Sequence, residues 1–157
     1  MNIQTYSEDK AREIAELFYQ SVHAVDSLVY TAAQKDAWAP APIDYVRWSE
    51  RLAIKNPFLA IIRGRVAGFI ELDADGHIDG TYTHPDYQGI GVASALYEHL
   101  LKEANIRNIN RLYVEASLIA KPFFEKRGFS VVKKNEVDRQ GVSLVNFSME
   151  KYLGDIS

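Results

Sequence analysis

The spacing of apolar residues changes from helical to extended at Pro57, and this change constrains the fold more than any other feature of the chain. Apolar residues recur every three or four positions between Ile14 and Val22, which predicts a helix. After Pro57 the segments FLAIIR, VAGFIEL and HIDGTYTH are typical of strands, with turn signals at Gly64 and Asp75-Gly76 between them. The sequence therefore predicts a three-stranded antiparallel meander that follows a helical region.

Further helices and strands surround this meander. The patterns predict strands at 2–6 and 111–116, helices at about 7–24, 43–54, 91–105 and 118–127, and a final hairpin made of FSVVKK and GVSLVNFSMEKY. Gly128 stands where a helix C-cap is expected. Because the helix at 91–105 connects two strands by a crossover, the strand at 111–116 needs a parallel neighbour. The prediction is one mixed α/β domain over residues 1–157.

Composition excludes several classes of protein. The chain has 157 residues, a length that favours one domain, and its charge sum of 18 − 21 = −3 opposes a nucleic-acid or membrane partner held by positive charge. It contains no cysteine, which excludes disulfides, a thiolate zinc site and a cysteine nucleophile, and we expect no metal. The N-terminal segment lacks the apolar stretch of a signal peptide and no window approaches 18 apolar residues, so we expect a cytoplasmic protein.

The segment THPDYQGIGVASALYEHL passes from a strand through a glycine turn directly into an amphipathic helix. Gly89 and Gly91 permit a tight turn, so that successive N–H groups as far as Ser94 can point at one anion, as in a pyrophosphate site. An ordinary strand-to-helix turn explains the same two glycines, because a short Gly-x-Gly is weak evidence by itself.

A dinucleotide-binding turn is one alternative. Gly89-Ile90-Gly91-Val92-Ala93-Ser94 nearly fits that fingerprint, and Glu115 lies where a ribose ligand is expected, which suggests a nicotinamide-dependent enzyme. Against it, Ser94 replaces the third glycine, the preceding strand closes an antiparallel meander, and only 42 residues follow Glu115.

Two motifs together resemble the GNAT superfamily of N-acetyltransferases. Gln88-x-x-Gly91-x-Ala93 is similar to its acetyl-coenzyme A signature, and RLYVEASLIAKPFFEKRGF is similar to its second motif. The resemblance runs from residue 2 to 150, is weakest between 23 and 56, and is to small bacterial single-domain members. It implies a mixed, mostly antiparallel sheet of six to seven strands, flanked by about four helices and splayed between the fourth and fifth strands.

The resemblance implies direct transfer of an acetyl group from acetyl-coenzyme A to a primary amine of a small molecule or peptide, through a ternary complex. In such proteins the strand before the loop pairs its backbone with the pantetheine arm, and a backbone N–H near Tyr82 or Thr83 would stabilise the acetyl oxygen. The implied cofactor-binding set is Thr81, Tyr82, Thr83, Gln88, Gly89, Ile90, Gly91, Val92, Ala93, Ser94, Ser117, Phe123 and Phe124. Lys121, Lys126, Arg127, Lys133 and Lys134 make the C-terminal third basic, which suits a phosphate or is simply a solvated face.

The attacking amine must lose a proton, so we look for a general base. His77 and Asp79 are the first choices, and alternation along the strand predicts that they share a face with Thr81 and Thr83. Glu71 and His84 are further choices, although His84 before Pro85 also suits a turn. For each of them a solvent-facing polar role is the alternative.

Phe124 stands where many family members have a tyrosine that protonates the leaving thiolate, and phenylalanine cannot donate a proton. Ser117 or Tyr82 then supplies the proton, or the thiolate leaves unaided. The same departure supports an alternative function, a non-catalytic acyl-coenzyme A sensor.

The irregular region between 23 and 48 corresponds to the segment that usually forms the wall of the acceptor site in this family. His23, Tyr30 and Trp38 are the predicted wall residues, with Asp26, Tyr45 and Trp48 beside them; tryptophans can stack on a cationic or aromatic acceptor. The alternative is that these aromatic residues only anchor the loop. A homodimer formed through edge strands or the C-terminal hairpin is compatible with the fold, and the sequence leaves the oligomeric state and the acceptor open.

Overall fold

The computed structural model describes residues 1–154. The strands are β1 (Asn2–Thr5), β2 (Phe58–Ile62), β3 (Arg65–Leu72), β4 (His77–Thr83), β5 (Arg111–Ser117), β6 (Ser130–Arg139) and β7 (Val142–Tyr152). The helices are α1 (Ala11–His23), α2 (Ala32–Trp38), α3 (Tyr45–Lys55), α4 (Val92–Ile106) and α5 (Lys121–Glu125), with 3-10 turns at Glu8–Lys10 and Pro85–Tyr87. These elements confirm the predicted order of the strands and of the four predicted helices, and α2 is an additional helix between the first two of them.

One sheet joins the seven strands in the order β1-β2-β3-β4-β5-β7-β6. Every neighbouring pair is antiparallel except β4 and β5, which are parallel because α4 carries the chain back across the sheet. The mixed, mostly antiparallel sheet is confirmed, with five helices beside it in the described part of the chain.

Strands β4 and β5 separate soon after they begin. They pair only through His77 with Tyr113 and Ile78 with Val114, and then diverge. The backbone groups of residues 79–83 that face β5 therefore have no strand partner, and a wedge opens beside them. This confirms the predicted splay.

A β-bulge at Asp79 reverses the alternation of side chains along β4. Glu71 pairs with Gly80 and Leu72 pairs with Ile78, which leaves Asp79 as an extra residue. Asp79 contacts α3 on one face of the sheet, whereas Thr81 pairs with Ile70, which belongs to the core beneath α4. The expectation that Asp79 shares a face with Thr81 is wrong, because one added residue moves the following side chains to the opposite face.

The sheet is covered on both faces. Helix α4 packs Leu96 and Leu100, both fully buried, against one face, and α1 packs Ile14 and Leu17 against the other. Gly68 on β3 is what allows α4 to lie so close, because a Cβ there would stand 2.8 Å from a methyl carbon of Val92.

The segment between α1 and α3 is short of regular structure but well anchored. Thr31 and Gln34 form a capping box at the start of α2, and the Asp44 side chain accepts a hydrogen bond from the Arg47 N–H, 3.0 Å long, at the start of α3. His23 Nε2 lies 2.8 Å from the carbonyl oxygen of Ala39, which ties the end of this loop to α1. The loop aromatic residues are thereby held over the sheet.

Candidate functional site

The wedge between β4 and β5 contains a cavity of about 660 Å³, which we call the β4–β5 cleft. Its walls are the separated ends of both strands, the loop before α4, the start of α5 and the β6–β7 hairpin. The volume is in the range of small-molecule and cofactor sites.

The amino end of α4 supplies an anion-binding turn at one end of the cleft. Gly89 and Gly91 have φ of 77° and 88°, values that favour glycine, and a Cβ at either position would meet nothing within 4 Å. Both glycines are therefore required by backbone conformation and not by lack of space. The N–H groups of the first turn of α4 have no partner within the helix and point outward with its positive dipole end.

Arg127 places a positive charge beside this turn. Its guanidinium lies 3.5 Å from the ring centroid of Phe123 and donates hydrogen bonds to Ser94 Oγ at 2.6 Å and to the Phe123 carbonyl at 2.9 Å. Stacking and two hydrogen bonds fix the cation where a phosphate would meet the helix end. The sequence indicates only a basic stretch, and the fold selects Arg127 from it.

Two hydroxyl groups, one from β5 and one from the loop between α1 and α2, lie at the β5 wall of the cleft. Ser117 Oγ accepts a hydrogen bond from the Ala120 N–H at 3.1 Å, and Tyr30 Oη accepts one from the Leu118 N–H at 2.9 Å. Phe124 borders the same wall, but its side chain is fully buried and packs against Phe129.

A second cavity of about 710 Å³ lies on the other face of β4, between α1, α3 and the loop that joins α2 to α3. We call it the α1–α3 cavity. The rings of Trp48 and Phe18 pack at a tilt on one side, with centroids 4.9 Å apart. Four residues line both cavities: Trp38, Asp79, Tyr82 and Arg139. The two cavities therefore meet at β4.

An ion-pair network forms the floor of the α1–α3 cavity. The Arg51 guanidinium donates to both carboxylate oxygens of Glu71, one at 2.9 Å, and reaches Asp79 at 3.3 Å. Lys55 Nζ lies 2.6 Å from Asp79 Oδ2 and 3.0 Å from Asp73. This network fixes the carboxylates of β4 and its neighbour β3.

Burial and charge act in opposite directions on the two carboxylates. Burial raises the pKa of Glu71 above its ordinary value, and the Arg51 charge only partly offsets this. Burial also acts to raise the pKa of Asp79, but the Lys55 hydrogen bond and the Arg51 charge outweigh it, so that this pKa is lowered. Asp79 is therefore ionised at neutral pH.

Tyr82 separates the two cavities. Its ring packs against Phe18 and Phe69, with centroids 4.8 and 5.6 Å away, and burial raises its pKa to about 12. The phenol therefore keeps its proton at neutral pH.

His77 lies outside the residues that line the two cavities. Its Nδ1 is 3.2 Å from Asp73, its Nε2 is 2.6 Å from Glu115, and its ring stacks on Tyr113. Both ring nitrogens are thus engaged, and the residue connects β4 to β5 where they begin to separate. Donor atoms of Asp73, His77 and Asp79 lie within 4.8 Å of one another, but the Lys55 ammonium group already contacts both aspartates.

The structure brings nearly all of the predicted cofactor set together. Every member lines the β4–β5 cleft except Ile90, whose side chain is 60% exposed in the loop. His84 accepts a hydrogen bond from the Asp86 N–H and caps the turn before α4, as its place before Pro85 suggested.

The predicted acceptor wall divides between the two cavities. Tyr30 lines the β4–β5 cleft, Trp48 lines the α1–α3 cavity, and Trp38 lines both. His23 and Tyr45 border neither: His23 anchors the loop, and the Tyr45 hydroxyl donates to Glu16 at 3.1 Å. Asp26 accepts a hydrogen bond from the Leu28 N–H and also lies outside both cavities.

Sequence reasoning missed Arg139, at the end of β6, which lines both cavities. The sequence carried no signal for it, because its position depends on how far the β6–β7 hairpin reaches across the sheet.

Comparison with known proteins identifies the family. The model of the "Acetyltransferase (GNAT) domain" matches residues 4–151. The uncharacterized N-acetyltransferase YafP of Escherichia coli is 36% identical over 149 residues, which cover 95% of this chain and 94% of YafP. A crystal structure of a GCN5-related N-acetyltransferase from Rhodopseudomonas palustris is 34% identical, with a TM-score of 0.91, and the match covers 97% of this chain and 95% of that one. The chain belongs to the GNAT acetyltransferase family.

A more distant structure shows the same fold. The PaiA N-acetyltransferase of Thermoplasma acidophilum, solved in complex with coenzyme A, has a TM-score of 0.75 at 18% identity over 98% of this chain and 100% of that one. Family membership confirms the predicted enzyme class, an N-acetyltransferase that uses acetyl-coenzyme A, and replaces the dinucleotide-binding hypothesis. Within residues 1–154, no helix has the length and apolar character needed to cross a membrane.

Proposed function

We propose that this chain transfers an acetyl group from acetyl-coenzyme A directly to a primary amine of a small-molecule or peptide acceptor, through a ternary complex. The observation that carries the proposal is the meeting of two cavities at β4, where Asp79 and Tyr82 line both. Donor and acceptor can therefore be bound at once, and a chain without cysteine has no thiol to carry the acetyl group between them.

The β4–β5 cleft fits the acetyl donor. Acetyl-coenzyme A supplies a thioester, which an amine attacks without further activation of the acyl group. The unpaired edge of β4 over 79–83 offers backbone groups to the pantetheine arm, in the manner of an added strand. The first turn of α4 and Arg127 hold phosphate groups, and a backbone N–H near Tyr82 or Thr83 stabilises the developing oxyanion.

Asp79 is the base that the geometry favours, because this residue lines both cavities and its carboxylate faces α3, on the side of the α1–α3 cavity. Its lowered pKa makes it a weak base but keeps it charged, so that it attracts a protonated amine and accepts its proton through water. His77, the other predicted base, has both ring nitrogens engaged and acts here as a support for Glu115 and Asp73. Glu71 is fully buried against Arg51 and positions the network.

The α1–α3 cavity is the proposed acceptor site. Trp38 and Trp48 offer aromatic faces that suit a cationic or aromatic amine. Arg47 and Arg139 also line it, and neither forms an ion pair within the described residues. An acceptor that carries a carboxylate beside its amine, such as an amino acid, matches this combination.

Two measurements test the proposal. Calorimetric titration of the folded protein with acetyl-coenzyme A is expected to show binding at or below tens of micromolar, and absence of binding would contradict the assignment. Thiol release across a panel of amines is then expected to identify an acceptor, with kcat/KM about 100-fold lower in Asp79→Asn.

An acyl-coenzyme A sensor is the second candidate function, because Phe124 cannot donate a proton. It predicts tight coenzyme binding without thiol release for any amine. One acceptor with sustained turnover rejects it.

A further inference from the structure

Breaking the thioester creates a charge that the β4–β5 cleft has to neutralise. As the amine attacks, a C–N bond forms, the C–S bond breaks, and its electron pair stays on sulfur. A thiol pKa of about 8.5 makes the thiolate a tolerable leaving group, yet a positioned acid still accelerates the step. Phe124 cannot supply that proton.

Few hydroxyl groups of the cleft suit this role. Aliphatic hydroxyls such as Ser117 are much weaker acids than a phenol, whose ordinary pKa is about 10. Ser94 Oγ is held by Arg127 at the phosphate end, and Tyr82 packs between Phe18 and Phe69 on the other face of β4. The cleft has two more phenols, Tyr87 and Tyr30, and Tyr87 lies in the turn before α4.

Tyr30 is a phenol fixed at the carboxyl end of β5. It enters from the loop between α1 and α2, its side chain is 2% exposed, and its ring packs edge-on to Trp38 at 5.4 Å. Its oxygen accepts a hydrogen bond from the Leu118 N–H at 2.9 Å, across 88 positions of sequence. Within residues 1–154 no acceptor binds the Tyr30 O–H proton, so this proton is available to a group in the cleft.

We propose that Tyr30 donates the proton to the leaving thiolate; the inference rests on the proposed acetyl transfer. The Tyr30 O–H bond breaks, its proton passes to sulfur, and the product is a thiol. The Leu118 N–H then stabilises the phenolate. Tyr30 recovers a proton from solvent. The protonated amine loses two protons to Asp79 and solvent, one before attack and one after the C–N bond forms, so that one proton is released overall.

The protonation state of Tyr30 is consistent with an acid. Burial raises its pKa, while hydrogen bonds from Leu118 and Ser117 act in the opposite direction, and the result lies above the ordinary value. The hydroxyl therefore enters each cycle protonated at neutral pH, and the two hydrogen bonds favour its brief ionisation.

The first test compares the acetyl-transfer kinetics of Tyr30→Phe and Tyr97→Phe with acetyl-coenzyme A as donor. Tyr97 is a matched control, because its buried hydroxyl has no hydrogen-bond partner in residues 1–154 and it does not line the cleft. Tyr30→Phe should lower kcat by roughly 10- to 100-fold with KM for acetyl-coenzyme A within about twofold, while Tyr97→Phe leaves kcat unchanged. An unchanged kcat in Tyr30→Phe would overturn the proposal.

The second test measures binding and needs no turnover. Calorimetry should show that the wild-type protein binds coenzyme A about three- to tenfold more tightly than desulfo-coenzyme A, because Tyr30 donates to the sulfur. In Tyr30→Phe this ratio should fall to about one, whereas in Tyr97→Phe it should stay at the wild-type value.

Equal weakening of both ligands in Tyr30→Phe would indicate a purely structural role for the residue. The proposal is also overturned if the wild-type protein binds coenzyme A and desulfo-coenzyme A equally tightly. This result does not depend on whether Tyr30→Phe folds. Binding of neither ligand by folded wild-type protein contradicts the proposed function itself, which separates the two failures.

Discussion

Single residues in the loop before α4 decide whether the anion site forms. Gly91 precedes the helix with φ of 88°, and a side chain in this conformation costs about 1–2 kcal/mol. Relief of that strain would turn the adjacent N–H groups away from a phosphate. The site therefore depends on backbone direction, which a single methyl group can change.

We predict that Gly91→Ala weakens coenzyme A binding at least tenfold, measured by calorimetry. Gly64→Ala is the matched control, because Gly64 has φ of 78° and equally open surroundings but lies in the β2–β3 turn outside the cleft. Both variants should lose similar stability, and only the first should lose affinity. Equal affinities in the two variants would contradict the assignment of the anion site.

Asp79 is predicted to stabilise the fold only when it is ionised. Its folded pKa is lowered below the ordinary 3.8, so its contribution is complete above that value and is lost as pH falls through the folded pKa. Asp79→Asn should cost about 1 kcal/mol of unfolding free energy at pH 7, and the difference from wild type should shrink below about pH 4.

Urea unfolding at several pH values measures this dependence. Glu98→Gln is the control, because Glu98 is exposed on α4 and forms no ion pair within the described residues. A difference between Asp79→Asn and wild type that persisted at pH 2 would show that packing, and not charge, is responsible.

At the scale of elements, the contact of α4 with β3 places the helix end at the cleft. A Cβ on Gly68 would stand 2.8 Å from Val92, 2.9 Å from the Tyr82 carbonyl oxygen and 3.2 Å from Leu96. The helix therefore approaches the sheet as closely as a bare backbone allows. The position of its first turn depends on this contact.

Gly68→Ala should destabilise the protein by roughly 1–3 kcal/mol and also weaken coenzyme A binding, because the helix must shift from the sheet. Chemical unfolding and calorimetry measure the two effects. Gly154→Ala, where a Cβ meets nothing within 4 Å, should change neither. Loss of stability in Gly68→Ala with unchanged affinity would show that the helix end does not follow the contact.

At the scale of the whole molecule, the cleft joins both halves of the sheet, since β4 and β5 form its walls and are paired at only two positions. A ligand that bridges them should stabilise the fold. Coenzyme A at 100 times its dissociation constant is expected to add about 2.7 kcal/mol, which raises Tm by about 5–11 °C for a chain of this size.

Differential scanning calorimetry measures this shift, with desulfo-coenzyme A as the matched ligand without a thiol.

One transition, coincident by tryptophan fluorescence and far-ultraviolet circular dichroism, is also expected if residues 1–157 form a single domain. Two separated transitions would contradict that expectation. Sedimentation equilibrium tests the homodimer, which stays a prediction.

Local sequence patterns predicted most of the fold and the anion-binding part of the site. The period change at Pro57 predicted the meander, and the glycine turn predicted the anion-binding helix end, because turns and amphipathic helices are specified by neighbouring residues. The bulge at Asp79 was not foreseen, since a bulge depends on the register between two strands. It moved Asp79 away from Thr81 and toward Arg51 and Lys55.

The sequence by itself determined the order of elements, the glycine turn and the absence of a thiol, since each is a property of residue types and short spacings. Only the tertiary structure decided which side chains meet. It brought Tyr30 to Leu118, selected Arg127 from a basic stretch, and enclosed His77 between two carboxylates. Such contacts join residues far apart in the chain, and their geometry depends on how the sheet splays and how closely the helices pack on it.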